Sequence, residues 1–260
     1  MKRLVDMTWE EVRDLDRARA VAILPVGAIE AHGPHLPLGT DGILAEGMAR
    51  EGARRLAAAG REAVVLPILW YTAAPFAASF PGTVAVGAET VTRLVLDAAE
   101  ALARQRFATL ALANAHLDPA HLGSLEAVVR GAPAGLRVVF PNLVRRRFVA
   151  RLGEEFATGA CHAGRFEGSV VRAERPDLYR AEVAAGLAPN PASLSAAIAE
   201  GRGSFEAAGG PRAYFGWPAL ADAEEGRAAL VELGAILAES VLEALAEEPG
   251  GSHARREEGP

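Results

Sequence analysis

Short apolar segments alternate with helical segments along most of this 260-residue chain. Four segments have the length and composition of buried strands: 21–26 (VAILPV), 63–68 (AVVLPI), 108–114 (ATLALAN) and 136–140 (LRVVF). Helical periodicity and end signals mark the segments between them: 41–59, 89–106 and 119–130. Thr40 or Asp41 is the expected cap of the first of these helices. Strands that are apolar throughout are typical of parallel sheets, so we predict an α/β fold with helices on both faces of the sheet.

The remainder of the chain is predicted from weaker patterns. Beyond residue 140 we expect a helix near 143–156 and a final helix at 222–247. Residues 69–83 are expected to form an irregular connection. Since the sequence contains no internal repeat or evident linker, residues 1–247 are predicted to form one domain. The last residues, 248–260, are expected to be a disordered tail.

The composition excludes several classes of protein. The net charge is −6, and no basic block suggests binding to nucleic acid. No apolar run is long enough to span a bilayer, and the N-terminus lacks the apolar core expected of a signal peptide. Cys161 is the single cysteine, which excludes an intrachain disulfide and favours a reducing compartment. We therefore expect a cytoplasmic protein that binds neither nucleic acid nor membrane.

Five of the six histidines fall in three short windows, and each window also contains a carboxylate. The windows contain Glu30, His32, His35 and Asp41; His116, Asp118 and His121; and His162 and Glu167. The first two windows directly follow predicted strands, where parallel α/β sheets commonly bind ligands. Imidazole and carboxylate ligands suit Zn²⁺, Mn²⁺ or Fe²⁺. The sequence therefore predicts a site for one or two divalent ions, in which a carboxylate such as Asp41 could bridge a pair.

Other interpretations of these residues stay open at the level of the sequence. A histidine after a strand is often structural, and Asp41 could serve only as a helix cap. His35 and His121 are interpreted as structural or supporting residues rather than ligands. The sequence contains no G-x-S-x-G motif, phosphate loop or dinucleotide fingerprint. Cys161 and His162 are neighbours in the chain, and such neighbours seldom face each other as nucleophile and base, so a cysteine hydrolase is not favoured.

Four motifs resemble those of the creatininase (creatinine amidohydrolase) family. They are PVGAIEAHGPHLPLGTD at 25–41, FPGT at 80–83, ANAHLDP at 113–119 and CHAGRFEGS at 161–169. The resemblance implies a three-layer α/β/α fold with a mostly parallel central sheet. It also implies one or two metal ions per subunit, frequent assembly into hexamers, and hydrolysis of C–N bonds in cyclic or linear amides.

The resemblance further implies roles for individual residues. Five positions match metal ligands of the family: Glu30, His32, Asp41, His116 and Asp118. Among them Asp41 matches the bridging ligand, and Asp118 has a shorter reach than a glutamate would have. His162 and Glu167 match the catalytic histidine and its partner glutamate, with Glu167 alternatively completing the coordination of a metal. The expected ions are zinc or manganese, with iron as an alternative.

The chain also departs from the family pattern around the pocket. A different residue stands at several motif positions: Ala115, Pro119, Phe76, Ala77, Arg165, Gly168 and Trp217. Since the ligand positions are kept while polar pocket residues are lost, the pattern indicates a changed substrate over an intact metal centre. The expected apolar pocket is lined by Trp70, Tyr71, Phe76 and Trp217. Aromatic residues in loops also bury oligomer interfaces, and that alternative stays open.

These observations predict a metal-dependent amidohydrolase of a small amide, in which a metal-activated hydroxide attacks the carbonyl carbon. His162 would protonate the leaving nitrogen. Two alternatives stay open: a cyclohydrolase, deformylase or lactonase of the same fold, and a scaffold without catalytic activity. The chain is expected to form a homo-oligomer, a hexamer by resemblance.

Overall fold

The computed structural model describes residues 1–247, and the tail predicted for 248–260 lies outside the described residues. The strands are Lys2–Arg3 (β1), Val21–Val26 (β2), Ala63–Val65 (β3), Thr109–Asn114 (β4) and Arg137–Val139 (β5). The α-helices are Trp9–Arg13 (α1), Thr40–Ala58 (α2), Ala88–Arg104 (α3), Pro119–Arg130 (α4), Arg146–Val149 (α5), Glu154–Thr158 (α6), Arg165–Glu174 (α7), Ala181–Ala185 (α8), Leu194–Ala199 (α9) and Ala223–Ala246 (α10). Within residues 1–247, no helix is both long and apolar enough to cross a membrane.

The strands form a parallel sheet in the order β1-β3-β2-β4-β5. Alternate residues of β2 enter two separate hydrophobic cores. Val21 and Ile23 pack with α2, α7 and α10 on one face, whereas Ala22 and Leu24 pack with α3 and α4 on the other. Because both faces are covered, every residue of β2 is buried, which explains its uninterrupted apolar sequence. The predicted three-layer α/β/α fold is confirmed.

The chain reverses its direction across the sheet between β2 and β4. From β2 it passes through α2 to β3 on one side, and then through α3 to β4 on the other side of β2. The ends of β2 and β4 pair at Val26 and Asn114, so the loops that follow these strands begin side by side. A reversal of this kind opens a crevice at the carboxyl ends of the strands, where ligands commonly bind.

Two details differ from the prediction made from the sequence. The helix predicted near 143–156 is wrong, because the chain forms α5 and α6 with Gly153 between them at a φ of 93°, which no helix accommodates. Helix α2 begins at Thr40 itself, so neither Thr40 nor Asp41 is the capping residue. The Thr40 hydroxyl instead donates to the Pro37 carbonyl at 2.7 Å and fixes the turn that precedes the helix.

Helices α2 and α10 approach closely because each has a glycine at their crossing. A Cβ atom on Gly234 of α10 would lie 2.7 Å from the carbonyl carbon of Glu51 and 2.8 Å from the Gly52 nitrogen. A Cβ atom on Gly52 would lie 2.6 Å from a terminal carbon of Leu237. The two backbones are therefore in contact, and the layer depends on the absence of side chains at this point.

We expect Gly234→Ala to lower the free energy of unfolding by about 1–3 kcal/mol, because the added methyl group must push α2 and α10 apart. The control is Gly123→Ala in α4, where an added Cβ has open space around it. This control should raise the free energy of unfolding by about 1 kcal/mol through its helix propensity. Urea unfolding of the three proteins measures both values, and a Gly234→Ala protein as stable as Gly123→Ala would contradict the close crossing.

Candidate metal centre

The loop after β2 turns back on itself and places two carboxylates near each other. The Glu30 N–H donates to the Leu38 carbonyl at 2.9 Å, which closes the loop between β2 and α2. Gly27 lies against Gly42 in the first turn of α2, and a Cβ atom on Gly27 would lie only 2.7 Å from the Gly42 backbone. This close approach holds the start of α2, and Asp41 with it, against the end of β2.

Five buried residues form what we call the polar cluster: Glu30, His32, Asp41, His116 and Glu167. His116 Nδ1 lies 3.1 Å from Glu30 Oε2 and 3.2 Å from Asp41 Oδ2. His32 Nε2 lies 3.4 Å from Asp41 Oδ1 and 3.6 Å from Glu167 Oε2. The two oxygens of Asp41 therefore face two different imidazoles.

Backbone carbonyls orient both imidazoles of the polar cluster. His32 Nδ1 lies 3.0 Å from the Glu30 carbonyl oxygen, and His116 Nε2 lies 2.8 Å from the Ala73 carbonyl oxygen. In a neutral ring, the nitrogen facing a carbonyl must carry the hydrogen and donate it. The other nitrogen of each ring then presents its lone pair to the cluster, which is the arrangement found in metal-ligating histidines.

The polar cluster has unsatisfied atoms that fit a cation. Glu30 Oε1, His32 Nε2 and Asp41 Oδ2 are buried and have no hydrogen-bond partner, which is costly unless something else pairs with them. Ligand atoms lie within 4.8 Å of one another in two groups that share Asp41: Glu30, Asp41 and His116; and His32, Asp41 and Glu167. A third such group combines Glu30 and His32 with His162. The donor set of oxygen and nitrogen suits zinc or manganese.

The charges of the polar cluster depend on one another. Burial disfavours the charged form of Asp41, but His32 and His116 hold the pKa of its carboxyl well below the usual value. Burial would also lower the pKa of His32, but Asp41 and Glu167 raise it to about 10. The pKa of Glu167 is raised by burial to about 8, against the opposing effect of His32. In the protein alone, protons on the imidazoles therefore supply the positive charge that the carboxylates require.

His162 lies beside the polar cluster. Its ring centroid is 4.4 Å from that of His32 and 4.1 Å from that of Phe205, which stacks on it. Its Nε2 is 3.0 Å from the Ala31 carbonyl oxygen, so in the neutral ring Nε2 donates and Nδ1 keeps its lone pair. Burial lowers the pKa of His162 well below its usual value, and the charge of His32 lowers it further. His162 is therefore a neutral imidazole with one nitrogen available.

Asp118 takes a different position from the other predicted ligands. Its Oδ1 accepts the Ala120 N–H at 2.8 Å, and its Oδ2 accepts the Phe76 N–H at 3.2 Å. It thereby caps α4 and ties the 75–77 turn to this helix. It belongs to none of the three ligand groups, so the structure brings four of the five predicted ligands together and adds Glu167 to them.

A cavity of about 40 Å³, large enough only for a few water molecules, opens onto the polar cluster. Asp118 and His162 also line it, and its remaining walls are mostly apolar: Phe76, Leu117, Pro119, Cys161, Leu194, Ile198 and Phe205. The Cys161 side chain is a thiol there, because burial raises its pKa to about 12. The segment 194–205 reaches the cavity although no motif marks it in the sequence.

The four aromatic residues predicted to line one pocket lie in different places. Phe76 lines the cavity beside the polar cluster. Trp70 lies against Gly42 at the start of α2, and Trp217 lines a separate groove. Tyr71 is 58% exposed. The structure therefore brings only Phe76 to the cavity and supplies Phe205 as its second aromatic wall.

The two remaining buried histidines, His35 and His121, belong to none of the three ligand groups. His121 Nε2 lies 2.8 Å from Asn114 Oδ1, and the Asn114 amide donates to the His116 carbonyl at 2.7 Å. Neither ring nitrogen of His35 has a hydrogen-bond partner, and Tyr179 meets its ring edge-on. Burial lowers the pKa of His35 to about 4, with a further contribution from the charge of His32.

Comparison with known sequences identifies similar proteins over most of the chain. Residues 5–248 match the family described as Creatininase: creatinine amidohydrolase. The Mycofactocin precursor peptide peptidase of Mycobacterium ulcerans is 32% identical over 219 residues, which cover 81% of this chain and 80% of that one. The match with the peptidase of the same name from Mycolicibacterium smegmatis covers only 35% of that protein. The creatinine amidohydrolase of Pseudomonas putida is 33% identical over 44% of each chain.

Comparison with solved structures shows the same fold. A mutant creatininase superimposes with a TM-score of 0.69 over 94% of this chain and 99% of that chain. The two sequences are 24% identical in this superposition, so the likeness concerns the fold. It agrees with the three layers and the parallel sheet described above.

We expect His35→Leu to reduce the acid sensitivity of the metal-free protein. Burial depresses the folded-state pKa of His35 from 6.5 to about 4, so its neutral form contributes stability above pH 6.5. This contribution falls as the pH drops towards 4, by about 1.4 kcal/mol for each pH unit. Between about pH 6.5 and about pH 5, wild type should lose about 2 kcal/mol more than His35→Leu in urea unfolding. Equal losses in the two proteins would contradict the buried neutral state of His35.

Proposed function

This chain belongs to the creatininase family, and on that premise we propose that it is a metal-dependent amidohydrolase. Its reaction would be the hydrolysis of a C–N bond in a cyclic or linear amide. We further propose that residues 1–247 act as one domain, and that the chain works in the cytoplasm as a homo-oligomer. The observation that carries the proposal is the position of Asp41, whose two oxygens face the two separate groups of ligand atoms.

In this proposal the two groups that share Asp41 each hold one divalent ion. Glu30 and His116 complete the first group, and His32 and Glu167 complete the second. The unpaired atoms on Glu30, His32 and Asp41 support this assignment, because a cation would pair with all three. Solved structures of the fold include a creatininase described as the Mn form and a mutant creatininase of the Zn-Zn type, which supports manganese or zinc as the ion.

The ions would supply two kinds of chemistry, namely acidification of a water molecule and polarisation of the amide carbonyl. The residues around them would do the rest. The Ala31 carbonyl and the Phe205 ring hold His162 in one orientation beside the polar cluster. As a neutral imidazole, His162 could accept at Nδ1 the proton that the attacking water gives up, and deliver it to the leaving nitrogen. Glu167 would act as a ligand, since its Oε2 faces His32 and also accepts the Ala163 N–H at 2.6 Å.

Because the cavity has room for only a few water molecules, little more than the scissile group of an amide would enter it, and the apolar walls would contact the atoms beside that group. The names of the relatives cover both a peptidase and a creatinine amidohydrolase, and each name describes the cleavage of an amide. A cyclohydrolase, deformylase or lactonase of the same fold is the alternative. A panel of short peptides, cyclic amides, formamides and lactones, tested with the metal-loaded protein, separates these activities. Hydrolysis of lactones without hydrolysis of amides would favour the alternative.

We expect protein purified without added metal, or reloaded with zinc or manganese, to hold about two equivalents per chain by elemental analysis. Asp41→Asn should lower this content to well below one equivalent, because both groups lose a ligand. His162→Gln should keep the metal and lose turnover by about a hundredfold or more. Glu46→Gln, an exposed change on the same helix as Asp41, is the control and should match wild type. A wild-type protein that binds neither metal would contradict the proposal.

Asp118→Asn should leave the metal content unchanged. The asparagine oxygen still accepts the Ala120 N–H, and only the bond from the Phe76 N–H is lost. We therefore expect a decrease of about 1 kcal/mol in the free energy of unfolding. Elemental analysis and urea unfolding of the same preparation measure the two effects. The loss of one equivalent of metal would instead assign Asp118 to the coordination sphere.

A further inference from the structure

The carboxylate of Glu155 joins three separate segments of the chain. Glu155 is the second residue of α6 and is 7% exposed. Its Oε1 accepts the Phe166 N–H at 2.8 Å, and its Oε2 accepts the N–H groups of Arg165 and Trp217, each at 2.8 Å. A buried carboxylate with three backbone donors is a strong and well-defined anchor, because bonds to a charged acceptor are the strongest of their kind.

Helix α7 depends on this anchor for its start. The residue that precedes α7 is Gly164, which has no side chain to cap the helix. The first N–H groups of a helix need acceptors from outside the helix, and a negative charge there is favoured by the helix dipole. Glu155 supplies both from another helix, since Arg165 and Phe166 are the first two residues of α7.

Two glycines leave room for the Glu155 carboxylate. A Cβ atom on Gly164 would lie 2.6 Å from both carboxylate oxygens. A Cβ atom on Gly216, whose φ is 77°, would overlap Glu155 Oε2 and lie 2.6 Å from the Ala160 carbonyl oxygen. The segments at 164 and 216 therefore pack closely against the carboxylate on two sides. Such close packing around all three hydrogen bonds indicates a specific interaction rather than a chance contact.

The segment held by this anchor carries His162 and Glu167. Between them Ala163 has a φ of 51°, a conformation that residues with a side chain seldom adopt without support. The Ala163 N–H donates to Glu167 Oε2 at 2.6 Å, and the His162 carbonyl accepts the Phe215 N–H at 2.7 Å. The position of Glu167 in the polar cluster therefore depends on where α7 begins.

We propose that Glu155 is a positioning residue, which fixes the start of α7 so that Glu167 and His162 stand at the polar cluster. This inference rests on the proposed function, in that Glu167 is taken as a ligand of the second ion. Glu155 does not line the cavity beside the polar cluster and would not touch the substrate. Loss of the Glu155 anchor would displace Glu167 and so disturb the ligand group that contains it. The other group, Glu30, Asp41 and His116, would be spared because none of its residues lies on α7.

The test compares Glu155→Gln with Glu154→Gln. Both changes remove one negative charge from neighbouring positions of α6, but Glu154 is exposed. The amide introduced by Glu155→Gln keeps one acceptor oxygen, but its NH₂ group faces a backbone N–H and cannot accept from it. The anchor is therefore disrupted in Glu155→Gln and intact in Glu154→Gln. Gly164→Ala is a second variant that disturbs the anchor without removing its charge, and it covers the case in which Glu155→Gln does not fold.

The first measurement uses metal-free protein and is independent of the proposed function. Hydrogen exchange followed by mass spectrometry should be about tenfold faster at residues 163–167 in Glu155→Gln and in Gly164→Ala. Exchange in β2 and β4 should stay at the wild-type rate, as should all exchange in Glu154→Gln. Equal exchange at 163–167 in wild type and both anchor variants would overturn the proposal. A uniform increase across the sheet would also overturn it, since that pattern indicates a general structural role.

The second measurement titrates metal into the same proteins against a chelator. Glu155→Gln should keep the affinity for the first equivalent and weaken the second by about tenfold or more, because only one ion depends on Glu167. Equal weakening of both equivalents, or of neither, would overturn the proposal while leaving the two-metal centre in place. Failure of wild type to bind metal is a different result, since it would overturn the proposed function and with it this assignment of Glu155.

Discussion

The Asp41 carboxylate faces two imidazoles from different parts of the chain, and all three groups are almost completely buried. Buried charges are stable only when their partners are held in fixed positions. The surrounding fold holds each of the three groups in place. His32 lies in the loop after β2, His116 lies in the segment after β4, and Asp41 lies in the first turn of α2, where the helix dipole favours a negative charge. The glycine contacts between Gly27 and Gly42 and between α2 and α10 serve the same purpose, because the absence of side chains lets these segments pack in direct backbone contact.

The parts of the fold that depend on local pattern could be predicted from the sequence. Strands β2 and β4 lie within one residue of their predicted bounds, because a strand covered on both faces must be apolar at every position. Helix α4 matches its predicted range because its start at Pro119 and its end at Gly131 carry local signals. The helix predicted near 143–156 is wrong because apolar periodicity does not report the positive φ that Gly153 adopts.

The parts of the site that depend on contacts between distant segments could not be predicted. The windows with Glu30 and His116 can be recognised in the sequence because histidines and carboxylates after strands are a local signal. The geometry of Asp118 is set by the Phe76 backbone on another loop, which no spacing in the sequence reveals. Phe205 reaches His162 from a segment without a motif, and Glu155 acts on N–H groups that belong to a different helix. In each case the role of the residue depends on a tertiary contact with a distant segment, and the residue type alone does not reveal that contact.

The contact between His32 and Glu167 spans more than half of the chain, with consequences for the order in which the protein is assembled. The parallel pairing of β2 with β4 also joins segments far apart in sequence, and such pairings form slowly because long loops must close first. On the ribosome, a nascent chain that ends before α7 would contain His32 and Asp41 without Glu167. In the proposed two-metal centre, the group of His32, Asp41 and Glu167 would be complete only after α7 has been synthesised and has packed against α2, whereas Glu30, Asp41 and His116 would already be together. Loading of that second ion would then be one of the last events in the maturation of this protein.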